Sequence, residues 1–255
     1  VKHKKTFDYI FNKTEAITLE QSKLTLSKDI TVLSFSDSSM VDRNSSIIKV
    51  DSGWIVYSKN SESSILSFTS DGQFSGYIGH RGNGPGEYTS VYDVVVNQKS
   101  KVLEVLSDGR IFCYTFGGDF LDKKEVTYPA FSFAIDDRQN YWFYVGNNTT
   151  YGDAKMICTD ENIANVAYYL HQKSNMLPMV ENNFGRNGEW LTFHESLNHD
   201  LYTIENGKLD LSYAMDFPNY KLPKKLHELS GMEVIEELQR SNYASIINLS
   251  LIHIS

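Results

Sequence analysis

The feature that most constrains the fold is a strand–turn–strand pattern that recurs about every 45 residues. The segments IIKVDSGWIVYS, VVVNQKSKVLEVLS, FAIDDRQNYWFYV and PMVENNFGRNGEWLTF each contain an apolar stretch, an acidic or Asn residue, a polar turn and a second apolar stretch. The residues predicted to open these turns lie at intervals of 46, 39 and 45 residues, and they are Asp51, Asn97, Asp136 and Glu181. Each segment therefore predicts the first hairpin of one repeating unit.

A second hairpin is predicted after each of these segments, in ILSFTSDGQFSGYIG, IFCYTFGGDFLDKKEV, KMICTDENIANVAYYL and DLYTIENGKLDLSYAM. Their predicted turns are Asp71-Gly72, Gly117-Gly118, 160–162 and Asn206-Gly207, and such residues readily adopt the positive φ of tight hairpins. Four strands per repeat of about 45 residues is typical of a propeller blade. The pattern predicts an all-β, incomplete β-propeller with about four blades, at about 46–79, 91–126, 131–170 and 178–216.

The flanking regions carry weaker patterns. Ile17–Leu19 and Ile30–Phe35 are predicted strands. A helical insertion is predicted over about 221–247, since Leu222, Leu226 and Leu229 form one apolar stripe and Val234, Ile235 and Leu238 form another. Ser230 and Glu233 match a capping box at its second helix. We expect one incomplete domain over 1–248, because LSLIHIS at 249–255 resembles a translated sequencing adapter.

Composition excludes several classes of function. The net charge of −8 argues against a nucleic-acid partner, which requires clustered Lys and Arg. No apolar run is long enough to predict a transmembrane segment. The two cysteines, Cys113 and Cys158, are predicted to be buried and unbridged, at non-equivalent positions of the repeat.

The loop GHRGNGPGEY is the most distinctive motif. A phosphate-binding loop requires Lys-Ser/Thr after its last Gly and then a helix, whereas Glu87, Tyr88 and a predicted strand follow here. We therefore predict a structural joint between blades one and two, made by Gly82, Gly84, Pro85, Gly86 and Tyr88. The alternative is a binding loop at the channel mouth, for which the candidate residues are His80, Arg81, Asn83 and Glu87.

Two other motifs invite a metal-site interpretation. HESLNH, His194 to His199, departs from the H-E-x-x-H spacing of zinc sites, and a solvated turn is the better prediction. DDRQN, Asp136 to Asn140, lacks the Gly and terminal Glu of a calcium loop and fits a hairpin turn. We predict no metal site, no cofactor and no catalytic residues.

The sequence resembles a bacterial family of six-bladed β-propellers with NHL-like repeats, mostly secreted lipoproteins of unassigned function. GQFSGYIGHRGNGPGEYTSVYDVVV resembles the loop of that family, LNHDLYTIENGKL a later strand, and MDFPNYKLPKKL the start of its helical insertion. The resemblance covers roughly 30–248, with His80 and Pro218 as departures. It implies six blades, an extracytoplasmic location in the periplasm or at the outer membrane, and a lipid anchor.

Two functions remain open at this point. The preferred hypothesis is a non-enzymatic scaffold of the cell envelope that binds a protein or glycan partner. The alternative is a metal-dependent hydrolase or lyase with its site at the central channel, which rests on analogy with other propellers. Asp93, Asp136 and Glu181 are the residues nearest to such a channel site.

Overall fold

The structure is a computed structural model that describes residues 30–34, 45–59, 63–147, 152–171, 182–187, 190–215, 221–229 and 232–240. In chain order its strands are β1 Ser46–Val50, β2 Gly53–Tyr57, β3 Ile65–Thr69, β4 Phe74–Ile78, β5 His80–Arg81, β6 Glu87–Tyr88, β7 Asp93–Asn97, β8 Val102–Ser107, β9 Arg110–Tyr114, β10 Phe120–Glu125, β11 Ser132–Ile135, β12 Tyr141–Tyr144, β13 Met156–Thr159, β14 Ala167–Tyr169, β15 Phe184–Asn187, β16 Trp190–Phe193, β17 Asp200–Glu205 and β18 Lys208–Ala214. A 3₁₀ helix spans Lys224–Glu228 and helix α1 spans Met232–Arg240.

Sixteen of these strands form four antiparallel meanders, in which each strand pairs with the next along the chain. Blade one contains β1–β4, blade two β7–β10, blade three β11–β14 and blade four β15–β18. The first strands of successive blades contact each other, β7 with β11 and β11 with β15, so they lie innermost. This arrangement confirms the predicted fold class, an incomplete β-propeller of which four blades are described.

The blades are held together by seams, the apolar layers between adjacent sheets. Successive side chains of a strand point to opposite faces, so a strand with a blade on either side contributes side chains to two seams. On β12, Tyr141 and Phe143 pack toward blade two, whereas Trp142 and Tyr144 pack toward blade four. All four side chains are buried. A blade therefore buries its second face only when the next blade is present.

The turns between the third and fourth strands of blades one to three share one hydrogen-bond pattern. In blade one, Thr69 Oγ1 accepts the Gln73 amide at 3.0 Å, and in blade two Thr115 Oγ1 accepts the Asp119 amide at 3.1 Å. Asp160 takes this position in blade three and accepts the Ala164 amide at 2.9 Å. The predicted second hairpins of these three blades are confirmed, and in each of them a polar side chain caps the turn.

The first hairpin of blade four corrects the predicted turn position. Glu181 lies outside the described residues, and β15 begins at Phe184 and pairs with β16 through Asn187 and Trp190. The pair Asn187 and Trp190 is the last of this hairpin, six residues beyond the predicted position. Phe184 decides this register, because its ring packs against Phe193 at 5.2 Å in the seam with blade three.

The two cysteines also correct one prediction and confirm another. Cys113 and Cys158 both lie on the third strand of a blade, two residues before Thr115 and Asp160, so their positions are equivalent. They lie in different seams and are free, as predicted. Burial raises the pKa of each thiol to about 12, and Glu104 contributes at Cys113.

Residues 30–34 lie against blade one without forming a regular strand. The Ser34 amide donates to the Gly72 carbonyl at 2.8 Å, just as the Gly79 amide donates to the Gly118 carbonyl at 3.3 Å one repeat later. The segment thus contacts blade one in the way that the end of β4 contacts blade two. The predicted strand Ile17–Leu19 lies outside the described residues.

The two short helices belong to the predicted helical segment. Leu226 and Val234, one from each predicted stripe, are buried against Leu197. The other stripe residues that pack around them are Leu222, Leu229 and Leu238. Ile235 of the predicted stripe is exposed instead. Ser230 of the capping box and the tail 249–255 lie outside the described residues. In the part of the chain that the structure describes, neither helix has the length and apolar character to cross a membrane.

Asp93 connects three blades through its carboxylate. It lies at the start of β7 and is 4 % exposed. One oxygen contacts Lys59 Nζ of blade one at 2.8 Å, and the other accepts the Phe133 amide of blade three at 3.2 Å. Removing one member of a buried ion pair leaves the other charge uncompensated, which is costly.

We therefore expect Asp93→Ala to lower the free energy of unfolding by about 3–5 kcal/mol. The control is Asp51→Ala, which breaks the exposed pair with Lys101 and should change that free energy by less than about 1 kcal/mol. Urea unfolding of the full chain measures both. Equal losses in the two variants would show that Asp93 does not hold the seams together.

Candidate functional site

The loop between blades one and two folds back on itself. Its two short strands, β5 and β6, pair in parallel, with His80 opposite Glu87 and Arg81 opposite Tyr88. The Gly82 amide donates to the Tyr88 carbonyl at 3.0 Å, and Arg81 Nε donates to the Thr89 carbonyl at 3.1 Å. Because these bonds close the loop internally, its shape does not depend on a ligand.

The Glu87 carboxylate lies inside the loop. Its Oε2 accepts the Gly84 amide at 2.7 Å, and the Glu87 amide donates to the Gly84 carbonyl at 3.1 Å. A Cβ at Gly82 would overlap this carboxylate, and one at Gly84 would crowd it. Neither glycine has a positive φ, so the feature that favours glycine at both positions is the Glu87 carboxylate, which occupies the space that a side chain would need.

Gly79 and Gly86 have positive φ values, +60° and +72°, a backbone conformation that favours glycine. Each also lies against a ring of blade two. A Cβ at Gly79 would collide with Tyr114, and one at Gly86 would collide with Phe120. The two ends of the loop therefore pack directly on the outer half of blade two.

Two tyrosines tie the loop to both blades. Tyr88 is 1 % exposed, and its hydroxyl accepts the Ile65 amide and donates to the Ile78 carbonyl, both at 3.1 Å. Tyr114 of blade two donates its hydroxyl to the Gly86 carbonyl at 3.0 Å. The two rings meet edge to face at 6.3 Å, and burial raises the pKa of both phenols. These contacts are those of a rigid joint between the blades.

The outer surface of this joint forms a cleft of about 390 Å³. One wall is the loop, from Gly82 to Glu87. The opposite wall comes from blade two, with Asp108 and Arg110 at the turn between β8 and β9, and Phe120 and Lys123 on β10. Its volume lies in the range of small-molecule sites, roughly 300–1,000 Å³.

The structure divides the predicted binding residues between two places. Asn83 and Glu87 line the cleft, together with Gly82, Gly84, Pro85 and Gly86 of the predicted joint. His80 and Arg81 are exposed on β5, outside the cleft lining. Phe120 and Tyr114 hold the loop against β9 and β10, the outer strands of blade two, as expected of the joint between blades one and two.

Sequence reasoning missed the residues that blade two contributes. Thr89 lines the cleft, and its Oγ1 is buried without a hydrogen-bond partner among the described residues. Phe120 is 41 % exposed. The one available signal was Phe120 itself, an aromatic residue at the start of a strand whose last four residues are charged.

Charges of both signs surround the cleft. Arg110 Nε contacts Glu125 at 3.2 Å, and Lys123 Nζ lies 3.7 Å from the same carboxylate. Asp108 accepts hydrogen bonds from the Ser90 hydroxyl at 3.4 Å and the Tyr92 hydroxyl at 3.2 Å. No single sign of charge dominates the opening.

Two of the three acidic residues of the alternative hypothesis, Asp93 and Asp136, are engaged in structural contacts. Asp93 is paired with Lys59, as described above. Asp136 accepts the Arg138 and Asn140 amides and the Trp142 indole N–H, at 2.9, 2.9 and 3.0 Å, which is the predicted hairpin turn. Glu181 lies outside the described residues. Within the described ranges, no group of three or more His, Cys, Asp or Glu could hold a metal ion.

The HESLNH segment is not the solvated turn that we expected. Glu195 is buried and contacts Lys155 Nζ at 2.8 Å, and it accepts the Tyr144 hydroxyl at 2.9 Å. Leu197 packs against the helical segment. The turn is buried because it lies between blade three and the two helices.

Comparisons with known proteins agree with this fold. The model of a domain of unknown function, DUF4934, matches residues 6–251. The crystal structure of a candidate exported protein from Bacteroides fragilis is similar, with a TM-score of 0.73 and 15 % identity over 84 % of this chain and 64 % of that protein. This chain thus spans less than two thirds of that protein.

Two further structures are more distant. A member of the DUF4221 family from Bacteroides vulgatus has a TM-score of 0.47 and 12 % identity, over 78 % of this chain and 66 % of that one. The extracellular domain of a candidate one-component system from B. thetaiotaomicron has a TM-score of 0.35 and 13 % identity, over 69 % and 30 %. No curated protein sequence matches the chain.

The hydroxyl of Tyr88 should be a measurable part of the joint. Tyr88→Phe leaves the Ile65 amide and the Ile78 carbonyl without their partner, so we expect a loss of about 1–3 kcal/mol in the free energy of unfolding. Tyr168→Phe, on the exposed outer strand of blade three, is the matched control and should have almost no effect. Thermal unfolding of both variants checks this, and an unchanged Tyr88→Phe midpoint would contradict it.

Proposed function

We propose that this chain, which belongs to the DUF4934 family, is an extracytoplasmic β-propeller that serves as a non-enzymatic binding scaffold. The observation that carries the proposal is the cleft at the joint of blades one and two. A ligand site needs a fixed shape and a few polar groups that the fold leaves available. The cleft offers both, since the loop wall is closed by its own hydrogen bonds and the exposed Asn83 side chain lines the cleft.

The rigidity of the cleft favours binding over a purely connecting role. Tyr88, Tyr114 and Phe120 fix the loop on both blades, so a ligand would not have to order it. Preorganised walls lower the entropic cost of association. A joint that served only to connect blades would not require an exposed aromatic ring and charged groups around an open cleft.

The cellular location in this proposal comes from resemblance. The similar protein from Bacteroides fragilis is a candidate exported protein, and the GPGEY loop resembles that of secreted six-bladed lipoproteins. We accordingly propose a propeller of six NHL-like blades at the bacterial cell envelope, held there by a lipid anchor. Its partner would be a protein or a glycan outside the cytoplasm.

The competing hypothesis, a metal-dependent hydrolase or lyase, has less support from the described residues. A channel metal site needs several oxygen or nitrogen ligands that are not engaged elsewhere. Asp93 neutralises a buried lysine, and Asp136 closes its own turn. The binding scaffold therefore accounts for more of what these side chains do.

Site-specific photo-crosslinking in cells tests the proposal. A photoreactive amino acid replaces Asn83 at the rim of the cleft, and a matched control replaces Lys208, which is exposed in the hairpin of blade four. We expect a crosslinked adduct from position 83 and none from position 208. Adding the substitution Phe120→Ala should weaken the adduct, because it removes part of the cleft wall.

Two results would contradict the proposal. The absence of any adduct at position 83 in cells that make the folded protein would remove the cleft as a binding site. Equal adducts at positions 83 and 208 would indicate nonspecific contact. Fractionation of the same cells reports the location, and recovery in the cytoplasm alone would contradict export.

A further inference from the structure

We infer that the cleft between the GPGEY loop and blade two binds an uncharged sugar residue of a glycan. This inference rests on the proposed function and names the chemical class of its ligand. Three properties of the cleft support it, namely an aromatic surface, polar groups suited to hydroxyls and a balance of charges.

Phe120 provides the aromatic surface. Its ring meets Tyr114 at 5.9 Å, edge to face, and lies 6.5 Å from Phe112, while Gly86 leaves room for it. It still exposes 41 % of its surface. The face of an aromatic ring carries partial negative charge, so it attracts the weakly positive C–H groups on the apolar face of a sugar ring.

The polar groups around Phe120 suit a ligand that both donates and accepts hydrogen bonds. Asp108 accepts, Arg110 donates, and the Asn83 amide can do both. A sugar hydroxyl can add a hydrogen bond to each of these side chains, whereas a purely apolar ligand offers them none.

The balance of charges favours a neutral ligand. Arg110 and Lys123 share Glu125, whose single negative charge offsets one of their two positive charges. Asp108 and Glu87 add negative charge to the cleft lining. A sulfate, phosphate or carboxylate group would meet these carboxylates, and like charges in a confined site repel strongly.

The size of the cleft favours a small ring over a protein surface. A volume of about 390 Å³ is near the lower limit of small-molecule sites. A specific protein interface usually buries at least about 1,200 Å² of surface in total, which would have to extend well beyond this cleft. A protein loop that inserts one side chain is the competing occupant, and the experiment below distinguishes it.

The experiment measures binding of simple sugars to the full chain. Glucose, galactose, mannose and N-acetylglucosamine are titrated by ligand-observed NMR, with galacturonic acid as the charged comparison, and an array of neutral oligosaccharides extends the set. We expect binding of at least one neutral sugar or oligosaccharide, and weaker binding of galacturonic acid.

Two substitutions locate the binding site. Asn83→Ala removes the amide that lines the cleft, and because this side chain is exposed the unfolding midpoint should change little while affinity drops about 3- to 10-fold. Phe120→Ala should lower affinity by about 10-fold or more. Leu121→Ala, the neighbouring exposed residue on β10, is the matched control and should leave affinity unchanged.

The outcomes separate this inference from the proposed function. An adduct at position 83 without binding of any neutral sugar would overturn the sugar assignment and favour a protein partner, leaving the scaffold in place. Tighter binding of galacturonic acid, or sugar binding that survives both substitutions, would also overturn it. The absence of both the adduct and sugar binding would overturn both proposals.

Discussion

A four-stranded blade has two apolar faces and cannot bury both by itself, and the rest of the structure depends on this constraint. Each blade covers one face of the next, so a strand such as β12 must be apolar in both directions, as Tyr141 to Tyr144 are. The seams also contain charge where blades must be aligned. Asp93 contacts Lys59 and the Phe133 amide, and it thus links three blades at their inner strands. Burial of a paired charge constrains geometry more tightly than apolar packing alone.

The chain must cross a seam each time it passes from one blade to the next, and the GPGEY loop makes the first described crossing. A flexible crossing would leave the seam poorly defined. The protein instead fixes it with Tyr88, whose hydroxyl lies between two backbone groups of blade one, and with Tyr114 from blade two. A rigid crossing has an outer surface of constant shape. The cleft is that surface, so the same loop that aligns the blades also provides one wall of the proposed binding site.

The repeat and the hairpins could be predicted from the sequence because they depend on local chemistry, on alternating apolar residues and on turns such as Asp71-Gly72. Glu181 was misplaced because the register of β15 depends on the packing of Phe184 against Phe193, a contact between strands. The glycines of the loop were recognised, but the reason for Gly82 was not, since it depends on where the Glu87 carboxylate lies. The cleft joins the loop to residues of β9 and β10 about 20–40 positions later. No local sequence pattern predicts that these residues lie together. Nothing in the sequence therefore indicated Thr89 or Asp108 as residues of the cleft.

The central claim is that the GPGEY loop is a rigid joint, and amide hydrogen exchange of the full chain tests it most directly. The Gly82, Gly84 and Glu87 amides each donate a hydrogen bond within the loop, to the Tyr88 carbonyl, the Glu87 carboxylate and the Gly84 carbonyl. We expect these amides to exchange as slowly as those of the flanking strands β4 and β7, in the absence of any ligand. Exchange of these three amides at the rate of an exposed, unstructured loop would contradict the claim.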